Sequence, residues 1–241
     1  MSSPTAQVVD APARRSRVAA IGGCSVREID IVVVSDVVCP WCLIGVTRLD
    51  QALEAMPDVK ATVRFHPFLL DPTTPEEGED LRERLERKYR MPAAAMFARV
   101  EAAARESGIP LDFEKVRRSI PTIRAHTLIR MGEDAATPGT AGALKRALLR
   151  AYFLEGKDVS QLETLVEIGV AHGLSAEAIR VRVTDPAALA ETKALAREAG
   201  EQGVTGVPFF VVDERLALSG AQPVDVLKKV IERAFEMRAA S

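Results

Sequence analysis

The sequence predicts an α/β protein whose sheet is interrupted by a long, all-α-helical insertion. Three observations carry that prediction. An almost continuous β-branched run, "IDIVVV", stands early in the chain, as in a strand covered on both faces. Strand patterns then vanish after Asp71-Pro72 while helical patterns recur up to Asp185. A second β pattern, "VPFFVV" followed by "RLALS", returns just before a closing amphipathic stretch.

Residues 1–26 read as a flexible tail rich in Ala, Ser, Arg and Pro. The segment "APARRSRVAAIGGCSV" carries paired arginines, but its apolar step is shorter than the roughly 7–15 residues of an export signal core. Cys24 lies in this tail. From Arg27 the β-branched run reads as a central strand, and "CPWCLIGVTRLDQALEAM" reads as a helix that begins at the cysteines, with Cys42, Val46, Leu49, Leu53 and Met56 at steps of three and four. After a Pro57-Asp58 turn, "VKATVRFHPF" alternates apolar and polar residues, a strand with one wetter face near a sheet edge. Strand, helix, strand makes a βαβ unit.

The long middle stretch reads as all helical. "PEEGEDLRERLERKYR" places acids first and bases last, in accord with a helix dipole. "AAAMFARVEAAARES" is stopped by Gly108 and Pro110, and helical patterns follow in "TIRAHTLIRMG", "AGALKRALLRAYFLEG" and "QLETLVEIGVAHG". Asp185-Pro186 starts "TDPAALAETKALAREAGEQG". The two late strands flank an Asp213-Glu214 turn, and Val224, Leu227, Ile231 and Phe235 form the stripe of a last helix. With the insertion removed, the order is that of the thioredoxin fold: residues 27–71 and 186–241 form the thioredoxin-like domain, and residues 72–185 the helical insertion domain.

Composition narrows the function. Thirty-two basic and thirty-four acidic side chains leave a formal charge of −2, with no basic patch interleaved with aromatics, so nucleic acid is not an expected partner. No run approaches the roughly 20 apolar residues of a membrane span. Three cysteines in 241 residues are no secreted disulfide framework, which favours a reducing, cytoplasmic location.

Two of those cysteines stand three apart at the strand-to-helix junction, in "SDVVCPWCLIG". Unpaired N–H groups and the positive end of the helix dipole favour a thiolate at Cys39, the attacking sulfur. Cys42, almost one turn further, is placed to close on it as the resolving thiol. Pro40 suits a first helical turn because it has no N–H to lose, and Trp41 adds apolar surface beside the sulfurs. A structural zinc site would need two further ligands, and His66, His126, His172 and Cys24 are scattered, so no metal is expected. Two inert buried cysteines are the other reading of the pair. Pro208 opens the late strand; a cis Val207-Pro208 bond would leave the Val207 backbone free to pair with an incoming chain, whereas the trans form is the ordinary expectation.

Together "SDVVCPWCLIG", "FHPFLLDP", "AHTLIR", "YFLEGKDV" and "GVTGVPFFVVDERLALSGAQP" resemble the DsbA family of thiol-disulfide oxidoreductases, in its FrnE-like branch. The resemblance spans about Arg27 to Arg238. It implies a thioredoxin fold with an inserted helical domain, a redox-active CPWC centre, a cis-proline loop formed by Val207 and Pro208 facing it, and His126 facing the cleft, although a helix histidine that is partly buried fits the residues equally. It implies exchange with protein or small-molecule thiols and disulfides, with no cofactor beyond glutathione as a thiol partner. Periplasmic DsbA carries His where this chain has Trp41, and Pro121 replaces the Asn that often precedes the Ala-His pair, so redox rank does not carry over. Kappa-class glutathione transferases and 2-hydroxychromene-2-carboxylate isomerases belong to a related branch and make glutathione-dependent chemistry one alternative. A non-catalytic chain-binding module is another.

Overall fold

The computed structural model describes residues 7–8 and 26–240. Cys24 and nearly all of the expected tail over residues 1–26 lie outside the described residues, but Gln7–Val8 forms a short strand, β1.

The β-branched run is β2 (Arg27–Ser35), followed by α1 (Pro40–Glu54) and β3 (Val59–Pro67). β2 pairs with β3 in parallel over its whole length, from Arg27 opposite Val59 to Ser35 opposite Pro67. On its other side β2 pairs antiparallel with β6 (Phe209–Val212), which pairs with β7 (Leu216–Ser219). The sheet order is β1-β7-β6-β2-β3, so β2 lies between two strands and β3 forms an edge, in keeping with its alternating pattern. Asp213 and Glu214 take φ values of 54° and 55°, and the Arg215 N–H donates to Val212 O at 3.1 Å, a type I′ arrangement suited to the right-handed twist of a hairpin.

The insertion is helical with one correction. "PEEGEDLRERLERKYR" is not one helix: Glu79–Asp80 (β4) pairs antiparallel with Arg118–Ser119 (β5), and α2 is confined to Leu81–Tyr89. The physical reason is local. The Asp80 side chain accepts from the Glu83 N–H at 3.0 Å and caps the helix there. α3 (Ala93–Glu106), α4 (Ile123–Met131), α5 (Thr140–Phe153) and α6 (Leu162–Ala171) follow the expected patterns. A further short helix, α7 (Ala176–Arg182), begins at Ser175, whose hydroxyl accepts from the Ala178 N–H. α8 (Pro186–Glu201) is capped by Asp185, and α9 (Val224–Ala239) closes the chain.

Alternation along β2 divides the packing. Ile31 and Val33 point into a continuous core shared with Leu43 and Ile44 of α1, Leu227 and Ile231 of α9, and the insertion's Leu148 and Phe153. Val34 faces the other way, onto Ala199 and Val204 at the end of α8. Phe97, Phe113, Phe153 and Tyr152 stack through the insertion at centroid distances of 4.1, 6.4 and 4.8 Å. The sheet and the helical segment therefore share one core, and α5 packs against both α1 and β3.

Candidate active site

The cysteine pair stands where β2 gives way to α1. Cys39 is the N-cap of α1, with extended backbone (φ −91°, ψ 113°), and Pro40 occupies the first helical position. The Cys39 carbonyl accepts from the Cys42 N–H at 2.9 Å and the Leu43 N–H at 3.3 Å, so the two sulfurs sit on one turn. Both are free thiols. No side chain caps the helix at Cys39, which leaves first-turn N–H groups and the dipole available to a sulfur anion.

The Val207-Pro208 loop closes over this turn. Its peptide bond is cis, and the Cys39 Sγ lies 3.5 Å from the Val207 carbonyl oxygen. The Pro208 ring sits so close to α1 that a Cβ built on Gly45 would approach Pro208 Cγ to 2.7 Å. Glycine at position 45 is what allows this approach. Trp41 is half-buried, with the Arg99 guanidinium 5.8 Å from its ring centroid. The structure thus gathers Cys39, Pro40, Trp41, Cys42, Val207 and Pro208 into one place.

His126 does not line an open cleft. It is 3% exposed, because α4 carries it into the core below the cysteine turn, where its Nε2 lies 3.1 Å from Asp36 Oδ1. Asp36 is a site residue that the motif reading passed over. It follows β2 directly, is 1% exposed, and also accepts from the Val37 N–H and the Leu70 N–H, each at 2.7 Å. Burial by itself raises the Asp36 carboxyl, but His126, the Leu70 N–H and the charge of Lys145 outweigh it and hold the group below its usual range. A carboxylate only accepts, so His126 donates from Nε2; burial and the neighbouring Lys145 push its ring below the ordinary histidine value despite the Asp36 contact.

Lys145 of α5 is the second residue that the motifs missed. It is fully buried, and burial lowers its ammonium while Cys42, Asp36 and Cys39 pull the other way. Cys42 has no exposure, and burial together with Cys39 pushes its thiol well up, opposed by Lys145 and the Asp36 backbone N–H. Sequence signals existed for both missed residues. Asp36 breaks an apolar strand within the quoted cysteine motif, and Lys145 interrupts the apolar stripe of α5 formed with Ala141, Leu148, Leu149 and Tyr152.

A groove of about 330 Å³ opens where the 69–76 loop meets the N-terminus of α4, lined by Leu69, Pro121, Thr122, Ile123, Arg124 and Lys193 among others. It borders the loop whose Leu70 N–H holds Asp36. Among the described residues no cluster of His, Cys, Asp or Glu could hold a metal ion, and no helix is long and apolar enough to cross a membrane.

Comparison with known proteins bears on the fold and the family. The model of the DSBA-like thioredoxin domain matches residues 30–232. A probable DsbA oxidoreductase from Streptomyces coelicolor superposes with a TM-score of 0.77 at 33% identity, covering 86% of this chain and 90% of its own. The cytosolic disulfide reductase DsbM from Pseudomonas aeruginosa, solved with GSH, gives a TM-score of 0.61 at 20% identity over 86% of this chain and 99% of its own. A 2-hydroxychromene-2-carboxylate isomerase gives 0.65 at 15% identity over 88% and 98%. These last two likenesses concern the fold. No curated protein matches the chain.

Proposed function

The chain belongs to the DSBA-like thioredoxin domain family, and from that premise we propose that it is a thiol-disulfide oxidoreductase of the FrnE-like branch working through Cys39 and Cys42. The observation that carries the reading is the seating of two free thiols one helical turn apart at the start of α1, with the outer sulfur 3.5 Å from the Val207 carbonyl.

The chemistry follows from that seating. As thiolate, Cys39 attacks one sulfur of a substrate disulfide, forming a mixed disulfide and expelling the other sulfur as thiolate. Cys42 then loses its proton and attacks Cys39 Sγ, which forms the Cys39-Cys42 disulfide and releases the second substrate thiolate. Two electrons pass from the dithiol to the substrate, and the reverse sequence oxidises a substrate dithiol. The half-buried Trp41 and the Val207 backbone are the surfaces against which a substrate chain rests. In a reducing cytoplasm, glutathione is the thiol that recharges the pair. The reading needs no metal and no resident cofactor.

The test is equilibration of the purified protein across a glutathione redox series, followed by alkylation and mass spectrometry of the Cys39/Cys42 peptide. The expected result is a reversible intramolecular disulfide with a defined midpoint, and a Cys42→Ser variant that stalls within its first turnover as a Cys39 mixed disulfide. If only a glutathione adduct ever forms, or if Cys42→Ser turns over normally, the dithiol reading is wrong and glutathione-dependent isomerase or transferase chemistry replaces it.

A further inference from the structure

Resolution of the mixed disulfide requires Cys42 to give up a proton in a place with no exposure to water. The titratable groups facing that place are Cys39 and Cys42 on α1, Asp36 after β2, His126 on α4, and Lys145 and Tyr152 on α5. Most are already committed. The Asp36 carboxylate accepts from two backbone N–H groups and faces His126. His126 uses Nε2 on Asp36 and also hydrogen-bonds the Phe68 backbone. The Tyr152 hydroxyl donates to Arg118 O at 2.7 Å. Cys39 is bonded to substrate at this stage of the reaction.

Lys145 is the exception. It has no exposed surface, and its Nζ has no hydrogen-bond partner. Burying an ammonium without a partner costs several kcal/mol, and an apolar side chain of similar length avoids that cost, so stability does not explain the residue. Burial lowers its ammonium, which favours the form that offers a lone pair, and it stands within electrostatic reach of both sulfurs.

We infer that Lys145, supplied by the inserted helical segment, takes the proton from Cys42 as that thiol closes on Cys39. The inference rests on the dithiol reading given above. In the step, the Cys42 S–H proton passes to Lys145 Nζ, the Cys42 sulfur forms the bond to Cys39 Sγ, and the bond from Cys39 to the substrate sulfur breaks, its electron pair leaving on the substrate thiolate. The Lys145 ammonium, transiently balanced by the Asp36 carboxylate, afterwards returns its proton to solvent or to the departing thiolate.

The two sulfur steps separate in a stopped-flow reaction of the reduced full-length chain, in a Cys24→Ser background, with the coloured aromatic disulfide dithiobis-nitrobenzoate. Attack by Cys39 releases the first nitrothiolate and closure by Cys42 the second. Lys145→Met is expected to leave the first phase nearly unchanged and to slow the second by about 10²-fold, the scale of a lost general base, with the second phase now rising with pH as an unassisted thiol does. Lys145→Arg, a permanent cation that cannot accept a proton, is expected not to restore it. An unchanged second phase in Lys145→Met, or full recovery with arginine, overturns the inference. If neither variant folds, the unaltered lysine decides: a normal solvent deuterium isotope effect confined to the second phase supports proton transfer there, and its absence refutes it. Release of a single nitrothiolate by the chain with both cysteines and Lys145 intact removes the dithiol reading itself, an outcome distinct from failure of the lysine variants.

Discussion

Replacing Asp36 tests whether the buried carboxylate organises the floor of the site. Its two oxygens take three donors: the Val37 and Leu70 N–H groups at 2.7 Å and His126 Nε2 at 3.1 Å. Asp36→Ala leaves all three without an acceptor, and a stranded buried donor costs about 1–3 kcal/mol. If none is rehydrated the loss is about 3–9 kcal/mol, comparable with the roughly 5–15 kcal/mol that holds a domain together. Leu70 is on a half-buried loop and water can reach it, so we expect the lower part of that range, about 3 kcal/mol. Asp36→Asn keeps one oxygen and should lose about half as much. The pH dependence has a definite sign. The carboxyl lies lower in the folded chain than in the unfolded one, so its contribution is complete above the unfolded value of about 3.9 and disappears as pH falls through the lower folded value. Urea unfolding from pH 7 to pH 3 measures this. The gap between the parent protein and Asp36→Asn should stay constant down to about pH 5 and close below about pH 4. An Asp36→Ala protein within 1 kcal/mol of the parent at pH 7, or a gap that widens in acid, refutes the three-donor account.

Two further substitutions probe how the site is framed. Gly45→Ala gains up to about 1 kcal/mol of helix propensity, but its Cβ meets the rigid Pro208 ring at 2.7 Å and overpacking costs about 1–3 kcal/mol; we expect a net loss of up to about 2 kcal/mol in thermal unfolding and slower Cys39 alkylation, while a more stable protein with unchanged alkylation would show that α1 and the Pro208 loop are not in close contact. Thr192 joins α8 to α4, bonding Thr127 Oγ1 and Arg130 Nη1 at 2.9 Å each, so Thr192→Val should cost about 1–2 kcal/mol and lower the melting temperature by about 2–8 °C; no change would place the α4–α8 junction's strength in its apolar contacts.

Much of this architecture was legible in the chain because periodicity reports burial. β2, the alternating β3, the hairpin around Asp213-Glu214 and the start of α1 at Cys39 all follow from local patterns. What was missed depends on contacts that a local pattern does not contain. The β4–β5 pairing joins Asp80 to Arg118 across the whole of α2 and α3. α7 has only seven residues, too few for a periodic signal, and Ser175 was its one mark. Asp36 and Lys145 were visible as polar residues in apolar settings. Their relation was not, because Lys145 comes within electrostatic reach of Asp36 only once α5 has packed beside α1 and β3. Of the two readings of His126, a cleft residue or a helix histidine that is partly buried, its burial fits the second, and its polar partner is assigned by tertiary packing, here Asp36, 90 residues away.

The position of β2 in the sheet has a consequence for synthesis. Its antiparallel neighbour β6 is encoded far downstream, since Val34 pairs with Phe209, 175 residues later. At about 5–20 residues per second, the ribosome delivers that partner roughly 10–35 s after β2 has emerged. Throughout that interval the nascent chain can form β2, α1 and β3 with one flank of β2 unsatisfied, and both thiols precede the Val207 loop that covers them. The chain therefore depends on a late segment to shield an early one.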